Sequence, residues 1–270
     1  KTCSGVTIAE NFRDPYARRD RRILILSSKN IQIGWKKTIY TPEKGSDQCT
    51  GETFQQSESV TKREVNKLIK QYYDLMAYQS FSNYVRKLIS KEKLRLPEQE
   101  KKFAAERVIQ REFSNRLMII DEVHNIRDEQ TNDENMRDAV KTIELVIKYS
   151  DNLRLVMLTA TPMYNRSTEI VWILNMMLMN DKRPLLNKKD IFDSVGEITP
   201  QGKQLIQEKC RSYISYLRGE NPVTFPLRMY PSMIGFDSYT KLKDTSVLKG
   251  NFYPKKNLVG GQIKDKFQFL

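Results

Sequence analysis

Histidine is nearly absent from this chain: His124 is the only one in 270 residues. Cysteine is scarce too, with Cys3, Cys49 and Cys210 widely spaced and no CxxC pair. A structural zinc site needs a clustered set of such ligands, so none is expected. The odd count and the wide spacing fit reduced thiols in a cytosol-like compartment. Glycine and proline are also few, 11 and 10 residues, which excludes a collagen-like or low-complexity chain. No run of 18 apolar residues occurs, so no spanning helix is expected. The first residues, KTCSGVTIAENF, lack a basic segment followed by an apolar stretch, so no secretory leader is expected and a secreted protein is disfavoured.

What is present is a globular composition, 39% hydrophobic and 29% charged, with a net charge of +13. The charge is unevenly placed. Residues 13–37 carry eight basic and two acidic side chains, and residues 201–270 carry twelve and five. Residues 119–138 reverse the sign, with two basic and seven acidic. A basic chain with one acidic stretch points to a polyanionic partner and a separate site that holds a cation. On charge alone a solvated surface explains the same numbers about as well.

Three buried apolar runs stand out. ILILSS (residues 23–28), RLMII (116–120) and LRLVML (153–158) are continuous rather than alternating, the pattern of parallel strands covered on both faces. Residues 2–12, 61–70 and 137–148 show helical spacing, YYDLMAY is a further candidate strand, and SFSNYVRKLI reads as a serine-capped helix. Residues 41–59 read as a loop and 91–101 as an exposed charged segment. VWILNMMLM is an apolar, methionine-rich helix of the kind used for packing. Residues 186–218 look helical with polar breaks, and 221–270 show no clear period. The strand–helix–strand order over 116–158 is a βαβ unit, which predicts an α/β fold with a parallel sheet. The clusters DEVH and TATP each follow a strand directly, so both should lie at one carboxyl edge of the sheet, where such folds bind ligands.

The chemistry sits in those clusters. Lys1-Thr2 opening a helix matches the end of a phosphate-binding loop, in which the lysine reaches terminal phosphates and the hydroxyl meets magnesium; alone, the pair carries almost no weight. Asp121-Glu122 after a buried strand supplies two carboxylates, one suited to hold magnesium and one to deprotonate a water attacking a γ-phosphate. A polar strand end before a helix is the plain alternative. His124 can relay between a nucleotide and the next strand, or simply hydrogen-bond at the core edge. Thr159, Ala160 and Thr161 end that strand and can meet His124 or Glu122, or cap the following helix.

The order KT, ILILSSKNIQIGWKK, IIDEVHN, LTATPMYN resembles the first motor lobe of superfamily 2 helicases, in the DExH, Swi/Snf-like branch. CTGETF (49–54), YDLMAYQSF (73–81) and SYLRGENPVTFPLRMYP (215–231) resemble the helicases of large nucleocytoplasmic DNA viruses. That group includes the poxvirus early transcription factor small subunit, the transcription-termination ATPase, and asfarvirus and mimivirus relatives. The resemblance implies a three-layer RecA-like P-loop lobe over residues 1–182, a helical linker over 183–220 and the start of an incomplete second lobe over 221–270. It implies ATP and Mg2+ as cofactors. Lys1 and Thr2 would bind nucleotide, Thr2 and Asp121 the metal, and Glu122 would act as base. His124 with Thr159, Ala160 and Thr161 would couple nucleotide state to nucleic acid, and Ser28 and Lys29 would contact the phosphate backbone.

The implied activity is ATP-driven translocation on nucleic acid, DNA rather than RNA, in viral transcription. RNA polymerase or another transcription factor is the expected protein partner, with no membrane involved, and the expected location is the viral factory or virion. The glycine-rich loop would precede Lys1 and the second lobe would follow Leu270, so these residues alone are expected to hydrolyse ATP poorly. Two other readings compete: the motor lobe of a restriction-type ATPase, and a non-catalytic module that binds nucleic acid or polymerase.

Overall fold

Four parallel strands form the centre of the molecule, in the order β2-β1-β3-β4. The structure, a computed structural model, describes residues 1–17, 21–44, 47–51, 61–126, 134–163 and 167–216. The strands are β1 (Ile23–Leu26), β2 (Tyr73–Met76), β3 (Leu117–Asp121) and β4 (Arg154–Leu158). Every residue of β1 and β3 is buried. That is why those two segments read as unbroken apolar runs: with helices on both faces, neither set of alternating side chains meets water.

The alternation is still there, directed to two different cores. Leu24, Leu26, Met118 and Ile120 face one cluster, into which α4 (Tyr78–Lys93), α5 (Ala104–Phe113), α6 (Glu134–Tyr149) and α7 (Glu169–Asn180) pack. Ile23, Ile25, Leu117 and Ile119 face the other, covered by α1 (Thr2–Ala17), α2 (Lys29–Ile39) and α3 (Lys62–Tyr72). The result is the three-layer α/β arrangement of a RecA-like lobe. Register pairs Ile25 with Ile119 and Asp121 with Leu158, which places the ends of β1, β3 and β4 along one edge. The chain runs from β1 outward to β2, then returns to β3 on the other flank of β1. The carboxyl ends of β1 and β3 therefore form the crevice where strand order reverses, the usual ligand position in an open parallel sheet.

Several local readings change. The helix after β2 starts at Tyr78 with Ala77 as its cap and no side-chain cap bond, so it is not serine-capped. Ser82 instead is buried against Thr142, 2.9 Å between hydroxyls. α3 has the better start, with Thr61 and Glu64 forming a capping box. Helix α5 buries Ala104, Val108, Ile109 and Phe113 along one face at helical spacing, whereas α2 buries only Trp35 and Ile39. In α7 the apolar residues run all round the helix. Met176 packs toward the sheet, while Val171, Leu174 and Leu178 pack with α8 (Lys188–Ile191) and α9 (Pro200–Cys210). A helix between two cores needs no polar face. These elements all lie within one compact unit, Lys1–Ile214. The reading of 221–270 as the start of a second lobe lies outside the described residues, as do parts of the loop at 41–59 and of the acidic stretch at 119–138.

The cysteines need a correction. Cys3 and Cys49 are joined in a disulfide, with Cα atoms 5.4 Å apart, whereas Cys210 is free and buried. Wide spacing in sequence hid the pair: α1 and α2 lie side by side on one face of the sheet, and that brings the first turn of α1 to the segment after α2. The bridge closes a loop across 46 residues. On chain entropy alone it contributes up to about 4 kcal/mol. Cys3→Ser is expected to lower the urea midpoint by a corresponding amount, and added reductant should bring the wild type to the same midpoint while leaving the variant unchanged.

Candidate functional site

The site begins with a buried charge. Asp121, the last residue of β3, has 1% of its side chain exposed and receives three donors. The Lys1 ammonium lies 3.2 Å from Oδ1, and the Glu122 backbone N–H donates to the same oxygen at 3.0 Å. The Trp35 indole N–H donates to Oδ2 at 2.8 Å. A carboxylate removed from water is stable only when so compensated. Tyr78 closes the backbone below it, donating its hydroxyl to the Asp121 carbonyl. Burial first, and the charge of Asp121 next, push the Tyr78 hydroxyl above its usual range, so it stays a donor.

Glu122 turns the chain. Its backbone is left-handed, φ 54 and ψ 48, an uncommon conformation for a non-glycine residue. That turn ends the strand and swings the carboxylate back to the edge, where it forms an ion pair with Lys1. Its other oxygen lies 3.4 Å from His124 Nδ1. The same ring nitrogen is 2.8 Å from Thr159 Oγ1, which in turn accepts from the Thr161 N–H at 3.1 Å. A continuous polar path therefore runs Lys1–Glu122–His124–Thr159–Thr161, from the start of α1 to the end of β4. Ala160 and Thr161 are exposed beyond the strand. Ser28 and Lys29 open α2 at the end of β1, on the same sheet edge. Ser28 makes no side-chain cap bond and Lys29 is exposed, so both are available to a ligand.

All ten residues singled out in the sequence thus lie on one edge, in two groups. Lys1, Asp121, Glu122, His124 and Thr159 are directly linked; Thr2 adjoins them at the first turn of α1, and Thr161 joins through its backbone. Ala160 lies between Thr159 and Thr161 in the chain, and Ser28 and Lys29 flank the group at the end of β1. Three participants were missed. Trp35 and Tyr78 reach Asp121 across 86 and 43 residues, a separation that leaves no local signal. Gly5 is the third: a Cβ there would lie 2.7 Å from the Trp35 ring and 2.9 Å from Leu158. A glycine on the inner side of a helix was the one available clue.

The donor set suits a hard divalent cation bearing phosphate. Thr2, Asp121 and Glu122 offer oxygen atoms only, and the single Lys1 ammonium offsets only one of the two carboxylate charges, which leaves a negative charge for a cation. Among the described residues no cluster of three or more His, Cys, Asp or Glu could hold a metal alone. A magnesium ion here would therefore draw on phosphate and water for most of its ligands, as it does with nucleotides.

The family model described as type III restriction enzyme, res subunit, matches residues 1–164. The chain belongs to this family. Membership places it among helicase-like ATPases and implies use of ATP. A protein of Acanthamoeba polyphaga mimivirus, provisionally named an ATP-dependent RNA helicase, is 31% identical over 256 residues, covering 85% of this chain and 21% of that protein. A second mimivirus protein with the same provisional name is 25% identical, covering 84% and 37%. A helicase-named protein of frog virus 3 is 22% identical, covering 82% and 21%. The chain thus spans between about a fifth and somewhat over a third of the length of these curated relatives.

Gly5 gives a direct test of the packing behind the site. Gly5→Ala is expected to cost about 1–3 kcal/mol, because the added methyl meets a buried ring that cannot retreat. The same change at Gly34, which has open space around it, should cost nothing comparable. Thermal unfolding of the two variants side by side checks this.

Proposed function

We propose that this chain is the ATP-binding lobe of a nucleic-acid translocase of a large DNA virus, coupling ATP hydrolysis to movement along DNA during transcription. The observation that carries the reading is the meeting of Lys1, Asp121 and Glu122 at the crevice between β1 and β3. The matched viral relatives, helicases by name, support it. So does the excess of basic residues over 13–37, which includes Lys29 on the same edge.

In this reading Lys1 leaves the carboxylates to bind the β- and γ-phosphates of ATP. Thr2 and Asp121 hold Mg2+, which when bound would neutralise phosphate charge as the terminal bond breaks. Glu122 orients a water in line with the γ-phosphate and takes its proton. The left-handed turn at Glu122 aims the carboxylate there, and His124 steadies its second oxygen. When Glu122 changes partner, His124 and then Thr159 feel the change, so the strand end at Thr161 reports nucleotide state to bound nucleic acid. Ser28 and Lys29 grip the phosphate backbone. The relatives' provisional names favour RNA; the resemblance of the motifs to viral transcription ATPases favours DNA, and the basic charge fits either. The viral factory or virion is the corresponding place of action, with polymerase or another transcription factor as partner. The family's restriction-type name keeps a restriction motor as the second reading.

Two measurements test this in the full-length protein. Glu122→Gln should lower kcat for ATP by at least about a hundredfold while nucleotide binding persists; unchanged turnover would overturn the assignment. Lys29→Ala should weaken binding similarly for all duplex sequences and reduce the salt slope by about one ion. Affinity that stays flat between low and physiological salt would remove this edge from the nucleic-acid path. Parallel titrations with duplex DNA and RNA of one sequence decide the substrate class.

A further inference from the structure

Three elements that an ATP-driven motor must keep in step meet at one buried side chain. Trp35 lies on α2, the helix opened by Ser28 and Lys29, and is completely buried. Its indole N–H donates to Asp121 Oδ2 at 2.8 Å. Its ring edge lies against α1 so closely that Gly5 has no room for a methyl group. The contact with α1 is steric, the contact with β3 is a charge-assisted hydrogen bond, and the connection to the start of α2 is covalent through under two turns of helix.

We propose that Trp35 is a positioning residue: it occupies Oδ2 of Asp121, so that Oδ1 alone faces the cation site, and it ties that carboxylate to the helix that grips nucleic acid. The proposal rests on the functional reading above.

The chemistry follows from the lone pairs. A free carboxylate can rotate and present either oxygen, or both, to a metal. With Oδ2 held by a buried indole, rotation would break a hydrogen bond to a charged acceptor, which is among the stronger ones. Oδ1 receives Lys1 and the Glu122 N–H from the open side. Because no other described residue donates to Oδ2, loss of the indole N–H leaves that oxygen buried and uncompensated. A shift of α2 along its axis, as its first turn takes up or releases phosphate backbone, moves the indole and therefore the orientation of Asp121. That gives nucleic acid a route to the ATP site separate from the Glu122–His124–Thr159 path.

Trp35→Phe, in the full-length protein, keeps most of the ring and removes the donor. The expected result is an increase of about tenfold in the Mg2+ concentration needed for half-maximal ATPase, with KM for ATP near the wild-type value. Stimulation by nucleic acid should fall although its binding is unchanged. A Tm loss with the Mg2+ dependence and stimulation intact would show a packing role only and overturn the proposal. A second readout needs neither turnover nor a substitution that threatens folding. With tryptophan labelled by 15N, the Trp35 indole N–H should exchange slowly and shift when Mg2+ and ADP are added together, but not with ADP alone. Trp172→Phe assigns the resonances, since the Trp172 indole N–H donates to Glu144 rather than to Asp121. An unmoved Trp35 signal on saturation with Mg2+ and ADP sinks the proposal. Asp121→Asn separates the two ideas. If it abolishes turnover while Trp35→Phe behaves as wild type, only the role of Trp35 fails; if it leaves turnover intact, the ATP-site reading fails.

Discussion

A carboxylate buried to 1% exposure at the end of a central strand is the constraint around which this lobe is arranged. Hydrophobic residues tolerate approximate packing, but a buried charge demands donors at hydrogen-bond distance. Asp121 obtains them from α1, from α2 and from the turn that follows it. Each of those donors requires something further. Trp35 can reach Oδ2 only if α1 has a glycine where the ring passes. The Glu122 carboxylate reaches Lys1 and His124 through the left-handed backbone directly after the strand. Lys1 must lie at the start of a helix directed at this edge. The fold around the site is therefore a set of solutions to one electrostatic problem.

The same problem explains the division of labour between the two cores. The cluster beneath α1, α2 and α3 contains the ring that reaches Asp121. The opposite cluster contains Tyr78, which secures the carbonyl of the same residue. Both faces of the sheet thus converge on one peptide unit. Displacement of a layer on either face would therefore be felt at Asp121. The Cys3–Cys49 bridge adds a covalent link to this assembly, joining the first turn of α1 to the segment after α2.

Much of the framework was legible in sequence for simple reasons. Strands covered on both faces read as unbroken apolar runs, so 23–26 and 117–120 declared themselves, while 155–158 carries a similar run although β4 is an edge strand and mostly half-buried. Ligand-binding residues in parallel sheets follow strands directly, so DEVH and TATP marked the edge before any coordinates did. Helix α5 carries a regular stripe of Ala104, Val108, Ile109 and Phe113, whereas α2 buries only Trp35 and Ile39 among polar neighbours and is the less legible of the two. The start of α4 was misread because serine is a common cap, while the chain used Ala77 and placed Ser82 in the interior.

Residue order alone carried the class of fold, the succession of strands and of most helices along the chain, and the chemical types at the candidate edge. Those follow from local rules: burial on two faces, the period of an amphipathic helix, and adjacency of polar residues to strand ends. Only the tertiary structure decided which side chains meet. The pairing of Trp35 with Asp121, of His124 with Thr159 and of Cys3 with Cys49 spans 86, 35 and 46 residues. No local propensity encodes such distances. They are set by strand order in the sheet and by helix packing on its faces, which arise from the summed burial of the whole lobe.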